Sequence, residues 1–179
     1  MSQYWSQIIR ELKPYVPGEQ PGENTIIKLN TNENPYPPSP RVIDAIEKAT
    51  DSSLRRYPDP NCDALKQVLA DYYAVNRKKV FVGNGSDEVL SFMFYAFFDS
   101  RMGPLLFPEF TYSFYPVYCD FYAIGYEKVA LREDFSIDLD GFVDRGASCG
   151  LIFPNPNAPT GIGLPLGQIE GLLARYPHD

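Results

Sequence analysis

From residue 79 onward the chain alternates strand-like apolar runs with helix-like runs, and no other feature restricts its fold as strongly. The strand-like runs fall at 79–82, 104–107, 126–131 and 150–153, and the helix-like runs at 86–98, 112–122, 138–144 and 165–175. Strands separated by helices are joined by crossovers, so the pattern predicts parallel strands with helices covering both faces. The expected class is α/β, a three-layer α/β/α sandwich around a mostly parallel sheet. In such sheets ligands gather beyond the carboxyl ends of the strands.

The N-terminal part reads differently. Trp5, Ile8, Ile9 and Leu12 have helical spacing, and Pro14 stops that helix. Residues 14–40 are rich in proline, glycine and asparagine, with an apolar patch at Ile26-Ile27-Lys28-Leu29. A stretch of this length in a compact domain is functional or wraps something. Ser39-Pro40 is an N-cap and first-turn proline for a helix carrying Val42, Ile43, Ile46 and Ala49. A second helix is expected from about Asp63 to Val75, after the irregular Arg55-Arg56-Tyr57-Pro58-Asp59-Pro60. The chain therefore divides into an irregular N-terminal arm (1–40), a helical part (41–78) and an α/β part (79–179).

Charge and residue usage exclude several functions. A net charge of −7 and a pI near 4.7 argue against a nucleic-acid partner or an anionic membrane and favour a small-molecule ligand. There is neither an apolar run of membrane-spanning length nor a signal-peptide pattern at the N-terminus, so a cytoplasmic location is expected. Cys62, Cys119 and Cys149 are odd in number and widely spaced, as for reduced thiols rather than a disulfide framework or a metal cluster. The single histidine, His178, leaves no material for a Ser-His-Asp or Cys-His mechanism or a histidine-rich metal site. Chemistry in this chain must come from a cofactor.

Three loops at the expected carboxyl edge carry polar residues suited to that. Gly83-Asn84-Gly85-Ser86-Asp87-Glu88 runs from a strand-like segment into a helix. Its glycines permit positive φ and Ser86 is the expected N-cap; the turn is either an ordinary strand-to-helix connection that binds nothing or an anion site made by the first N–H groups of the helix. Pro108-Glu109-Phe110-Thr111-Tyr112-Ser113-Phe114-Tyr115 offers Tyr112, which either packs, as most of 25 tyrosines and phenylalanines must, or stacks on a flat ligand ring. Pro154-Asn155-Pro156-Asn157-Ala158-Pro159-Thr160-Gly161 is either a rigid turn or a mount for an asparagine amide facing a polar ring.

Taken with Leu29-Asn30-Thr31-Asn32-Glu33-Asn34-Pro35-Tyr36 and Arg56-Tyr57-Pro58-Asp59-Pro60, these motifs resemble, in order and spacing, the pyridoxal-phosphate-dependent aminotransferases of fold type I. The resemblance runs from about Lys13 to the end. It implies pyridoxal 5'-phosphate as cofactor, and transfer of an amino group from a phosphorylated donor, histidinol phosphate, to 2-oxoglutarate. It assigns Gly85, Ser86 and Asp87 to the cofactor phosphate, Tyr112 to the face of the pyridine ring and Asn157 to its phenolic oxygen. Tyr57 would reach the phosphate from a partner subunit, implying a homodimer with a shared active site. Tyr15 and Asn32 would meet the substrate, making residues 1–40 a lid over it, and 41–78 would contribute to a small domain and the dimer contact.

The match has two departures. Ala158 precedes Pro159 where many relatives have asparagine, so Asn157, one place earlier, must take that role. The lysine that forms the Schiff base, the aspartate at the pyridine nitrogen and the arginine for the substrate carboxylate all lie beyond the last residue in the family. Lys66, Lys78, Lys79 and Lys128 match no such position and read as solvated. Residues 79–179 are thus expected to be an incomplete large domain, and the chain a truncated, inactive N-terminal portion of a longer enzyme. Two alternatives stay open: another aminotransferase or an amino-acid-phosphate decarboxylase of the same fold, and a non-catalytic cofactor-binding or dimerisation fragment.

Overall fold

The computed structural model describes residues 3–12, 18–19 and 27–176. Its residues form two compact units, Met1–Tyr15 with Gly85–Asp179, and Val16–Asn84.

The first unit is built on a parallel sheet of β1 (Leu105–Pro108), β2 (Tyr126–Val129) and β3 (Gly150–Leu151), in the order β2-β1-β3. The register pairs Leu105 with Tyr126 and Phe107 with Lys128 on one side of β1, and Leu105 with Gly150 on the other. All four residues of β1 are buried, as a central strand covered on both faces requires. Strand alternation then sorts the core. Leu105 and Phe107 pack with Phe94 of α4 (Ser86–Phe97) and Tyr115, Tyr118 and Cys119 of α5 (Tyr115–Tyr122). Leu106 and Val129 pack on the opposite side with Leu139 and Phe142 of α6 (Leu139–Val143) and Leu172 of α7 (Leu166–Arg175). Helix, sheet and helix are the three expected layers.

The chain departs locally from the expected boundaries. Residues 79–82 do not join the sheet: 77–79 form a 3-10 turn, and Val80 is extended (φ −105°, ψ 118°) without becoming a strand. β3 stops at Leu151; Ile152 still donates to Leu106 at 2.9 Å, but Pro154 and Pro156 have no N–H with which to continue. α5 begins at Tyr115 rather than 112, because Pro116 is tolerated only in the first turn. Beyond β2, Leu131 pairs with Ile137 and closes a tight turn. Arg132, Asp138, Asp140 and Arg175 form ion pairs there, with Arg175 and Asp140 2.7 Å apart. The short helix α1 (Gln7–Glu11) also belongs to this unit.

The second unit contains α2 (Pro40–Ala49) and α3 (Asp63–Tyr73). Ser39 is the N-cap of α2 and Pro40 its first residue, as the sequence predicts. Asp59 accepts the N–H groups of Asn61 (3.0 Å) and Asp63 (2.6 Å), so the start of α3 is held from three residues upstream of its N-cap, Cys62. These two bonds hold the Asp59 carboxyl below the usual carboxylate range. Ala74 takes a left-handed conformation and ends α3, and Val75 N–H returns to Ala70.

Candidate functional site

The loops after β1 and β3 leave the sheet at its carboxyl edge, and a network of side-chain hydrogen bonds draws them and the start of α4 together. Gly85, not Ser86, is the N-cap of α4; its φ of 85° is available to glycine at little cost, and Ser86 is the first helical residue. A Cβ on Gly85 would meet open space, so the turn is clear on that side. The N–H groups of the first turn lack carbonyl partners within the helix, and the macrodipole places partial positive charge there.

Asp87, in that first turn, is bonded twice. Its Oδ1 accepts from Tyr112 Oη at 3.0 Å, and its backbone oxygen accepts from Tyr118 Oη at 2.9 Å. The first bond brings the α4 N-terminus and the loop after β1 to one place. The Tyr112 ring meets the edge of Tyr115 at 5.4 Å between centroids and lies nearly parallel to Phe114 at 6.4 Å. Burial, joined at Tyr118 by the nearby Asp87 carboxylate, pushes the Tyr115 and Tyr118 hydroxyls up to about 12.

Asn157 is the buried polar residue of the site, 1% exposed. Its Nδ2 donates to the Phe110 backbone oxygen (2.9 Å) and to Thr160 Oγ1 (3.3 Å), and its Oδ1 accepts from Thr111 Oγ1 (2.9 Å). One amide thus pins the loop after β3 to the segment that carries Tyr112. Both peptide bonds Asn155-Pro156 and Ala158-Pro159 are cis. Tyr112, Phe110, Thr111, Glu109 and Lys128 line a cleft of about 270 Å³. The α4 N-terminus lies outside that cleft and is an open helix end.

Gly85, Ser86, Asp87, Tyr112 and Asn157 therefore fall on three connected segments. Asn32 and Tyr57 belong to the other unit; Asn32 has φ 52° and is exposed, and Tyr57 is fully exposed at 101%. Tyr15 lies outside the described residues. Lys78, Lys79 and Lys128 are exposed and Lys66 is partly so. Among the described residues, no group of His, Cys, Asp and Glu side chains could hold a metal ion, and no helix is long and apolar enough to cross a membrane. Sequence reading overlooked Thr111, Thr160 and Tyr118. Thr111 and Thr160 sit inside the motifs as neighbours of Tyr112 and Asn157, while Tyr118 carries no signal beyond a buried phenol needing an acceptor.

Comparison with known proteins places this geometry in a family. Residues 24–178 match the model of the aminotransferase class I and II family. The chain is 57% identical over 176 residues to the histidinol-phosphate aminotransferase of Syntrophus aciditrophicus, covering 97% of this chain and 49% of the relative. It spans about half the length of the curated relatives it matches. The crystal structure of histidinol-phosphate aminotransferase from Sinorhizobium meliloti in complex with pyridoxal-5'-phosphate superposes with a TM-score of 0.81, over 99% of this chain and 49% of that one, at 21% identity. A decarboxylase from Sulfurospirillum multivorans superposes with a TM-score of 0.58, over 75% of this chain and 36% of that one, at 26% identity.

Proposed function

The chain belongs to the aminotransferase class I and II family, and on that premise we propose that it supplies the phosphate-anchoring part of a pyridoxal-phosphate enzyme. The proposed reaction moves an amino group from histidinol phosphate to 2-oxoglutarate, giving imidazole acetol phosphate and glutamate in the cytoplasm. The 57% identity to a histidinol-phosphate aminotransferase supports the choice of donor. The observation that carries the reading is the Tyr112–Asp87 hydrogen bond, which joins a helix N-terminus suited to a phosphate with an aromatic ring suited to a pyridine.

The residues present fit the cofactor. The N–H groups of the α4 first turn, at Gly85, Ser86 and Asp87, hold the phosphate, and the open space at Gly85 leaves it room. Tyr112 supports the ring face. Asn157, buried and bonded to Phe110, Thr111 and Thr160, would hold the phenolic oxygen in exchange for its Thr160 bond, the longer of its two donor bonds at 3.3 Å. When bound, the cofactor supplies an electron sink for the charge left at the substrate α-carbon as its proton departs. The exposed Tyr57 reaches the phosphate of a second subunit, making a homodimer with shared sites. Asn32 and Tyr15 belong to a substrate clamp within the 1–40 arm, and 41–78 contributes to the small domain and the dimer contact. Lys66, Lys78, Lys79 and Lys128 are given no part in moving the proton.

A decarboxylase of the same fold is the second reading, supported by the likeness to the Sulfurospirillum protein. Assay of the intact protein with histidinol phosphate and 2-oxoglutarate separates the two. Glutamate formation supports transamination. Carbon dioxide release from an amino-acid phosphate, without glutamate formation, supports the second reading instead.

A further inference from the structure

We propose that the Asp87 carboxylate is a positioning group for the Tyr112 ring, a role distinct from that of the Asp87 N–H toward a phosphate. The inference rests on the cofactor reading above, in which the Asp87 carboxylate only links two segments, and gives that carboxylate a task in binding.

A carboxylate in the first turn of a helix is favoured by the macrodipole, yet a phosphate at the same helix end would meet a like charge within a few ångströms. The structure turns Oδ1 to a phenol donor, Tyr112 Oη, at 3.0 Å. The main chain of Asp87 is fixed independently, because Tyr118, 5% exposed in α5, donates to its backbone oxygen at 2.9 Å. Asp87 is therefore a fixed post whose side chain sets the far end of the Tyr112 ring. The ring packs against the core cluster that contains Phe107, with the edge of Tyr115 and the face of Phe114 beside it, and the Asp87 bond adds a fixed point at its far end. A bond at the para oxygen, which lies on the χ2 axis, fixes where the far end of the ring stands rather than its spin, and an anionic acceptor strengthens it relative to a neutral one. The platform then stands ready before a ring arrives, with less ordering cost on binding.

The test is a double-mutant cycle with Asp87→Ala and Tyr112→Phe, plus Asp87→Asn, whose amide oxygen still accepts a hydrogen bond. Three quantities are measured on the intact protein freed of cofactor: pyridoxal-phosphate affinity from the visible absorbance, competition by inorganic phosphate, and the near-ultraviolet circular dichroism of the ligand-free protein. Each disrupting single variant is expected to weaken cofactor binding about fivefold. The double variant should be no weaker than either single, Asp87→Asn, with a neutral acceptor, should fall between the unmodified protein and Asp87→Ala, and phosphate competition should not weaken. Asp87→Ala should also change the tyrosine dichroism, and should change it no further in the Tyr112→Phe background. Additive losses in the double variant, or parallel losses for inorganic phosphate and cofactor, overturn the proposal. If the unmodified protein binds no pyridoxal phosphate, the cofactor reading fails; the ligand-free dichroism then decides the Asp87–Tyr112 coupling by itself, and an Asp87→Ala change that persists in full in the Tyr112→Phe background overturns it.

Discussion

Asn157 Nδ2 donates to the backbone oxygen of Phe110 at 2.9 Å, so one amide closes the loop after β3 onto the loop after β1. Thr111 completes the clasp from the other side, donating to Asn157 Oδ1 at 2.9 Å. The pair of bonds fixes the segment that leads into Tyr112.

Asn157→Ala removes the clasp and leaves the Phe110 oxygen and the Thr111 hydroxyl facing a buried gap. Leaving buried polar groups unsatisfied predicts a loss of about 2–3 kcal/mol in stability. Thr111→Val removes one donor and is expected to cost ~1 kcal/mol. Midpoints of denaturant unfolding check both; equal and negligible shifts would show that the clasp is not a structural element.

Two glycines with positive φ should respond differently to alanine. At Gly85 (φ 85°) a Cβ meets open space, so Gly85→Ala carries only conformational strain of about 1 kcal/mol. At Gly103 (φ 122°) a Cβ falls 2.9 Å from Ala147 O and Ser148 Cα, both backbone, and relief requires moving the chain. Gly103→Ala is expected to cost at least ~2 kcal/mol, read from the same unfolding midpoints.

Burial of neutral phenols predicts a loss of stability in alkali. The Tyr115 and Tyr118 hydroxyls are pushed up to about 12 from 10.0, so the folded state holds its protons more tightly than the unfolded one. Their contribution is fully present below pH 10 and is lost as pH rises toward 12. A titration of phenolate absorbance should show Tyr115 and Tyr118 among the tyrosines that ionise late, together with unfolding. Early ionisation of all tyrosines in the folded protein would contradict the burial.

Much of the architecture was legible because two periodicities coincided. Leu105-Leu106-Phe107 is buried on both faces, and the helices at 86–97 and 115–122 carry apolar residues on the side that meets Leu105 and Phe107. The segment 79–82 was misread as a strand because its apolar, β-prone residues report local preference, whereas a strand exists only through a hydrogen-bonded neighbour. Ser86 was misplaced as the N-cap for a related reason. Serine is a good cap by propensity, but Gly85 reaches the positive φ of the turn and takes the position one residue earlier. The internal bonds of Asn157 were invisible because they depend on partners 46 and 47 residues away, Thr111 and Phe110, whose approach only the folded sheet creates.

The most direct test of the account compares titrations of the cofactor-free protein with pyridoxal 5'-phosphate and with pyridoxal, which has the same ring and no phosphate. The account predicts a saturable change in visible absorbance with the phosphate ester, and binding weaker by about tenfold or more for pyridoxal, because the α4 N-terminus is the anchor. No spectral change with the ester, or equal affinity for the two compounds, would contradict it.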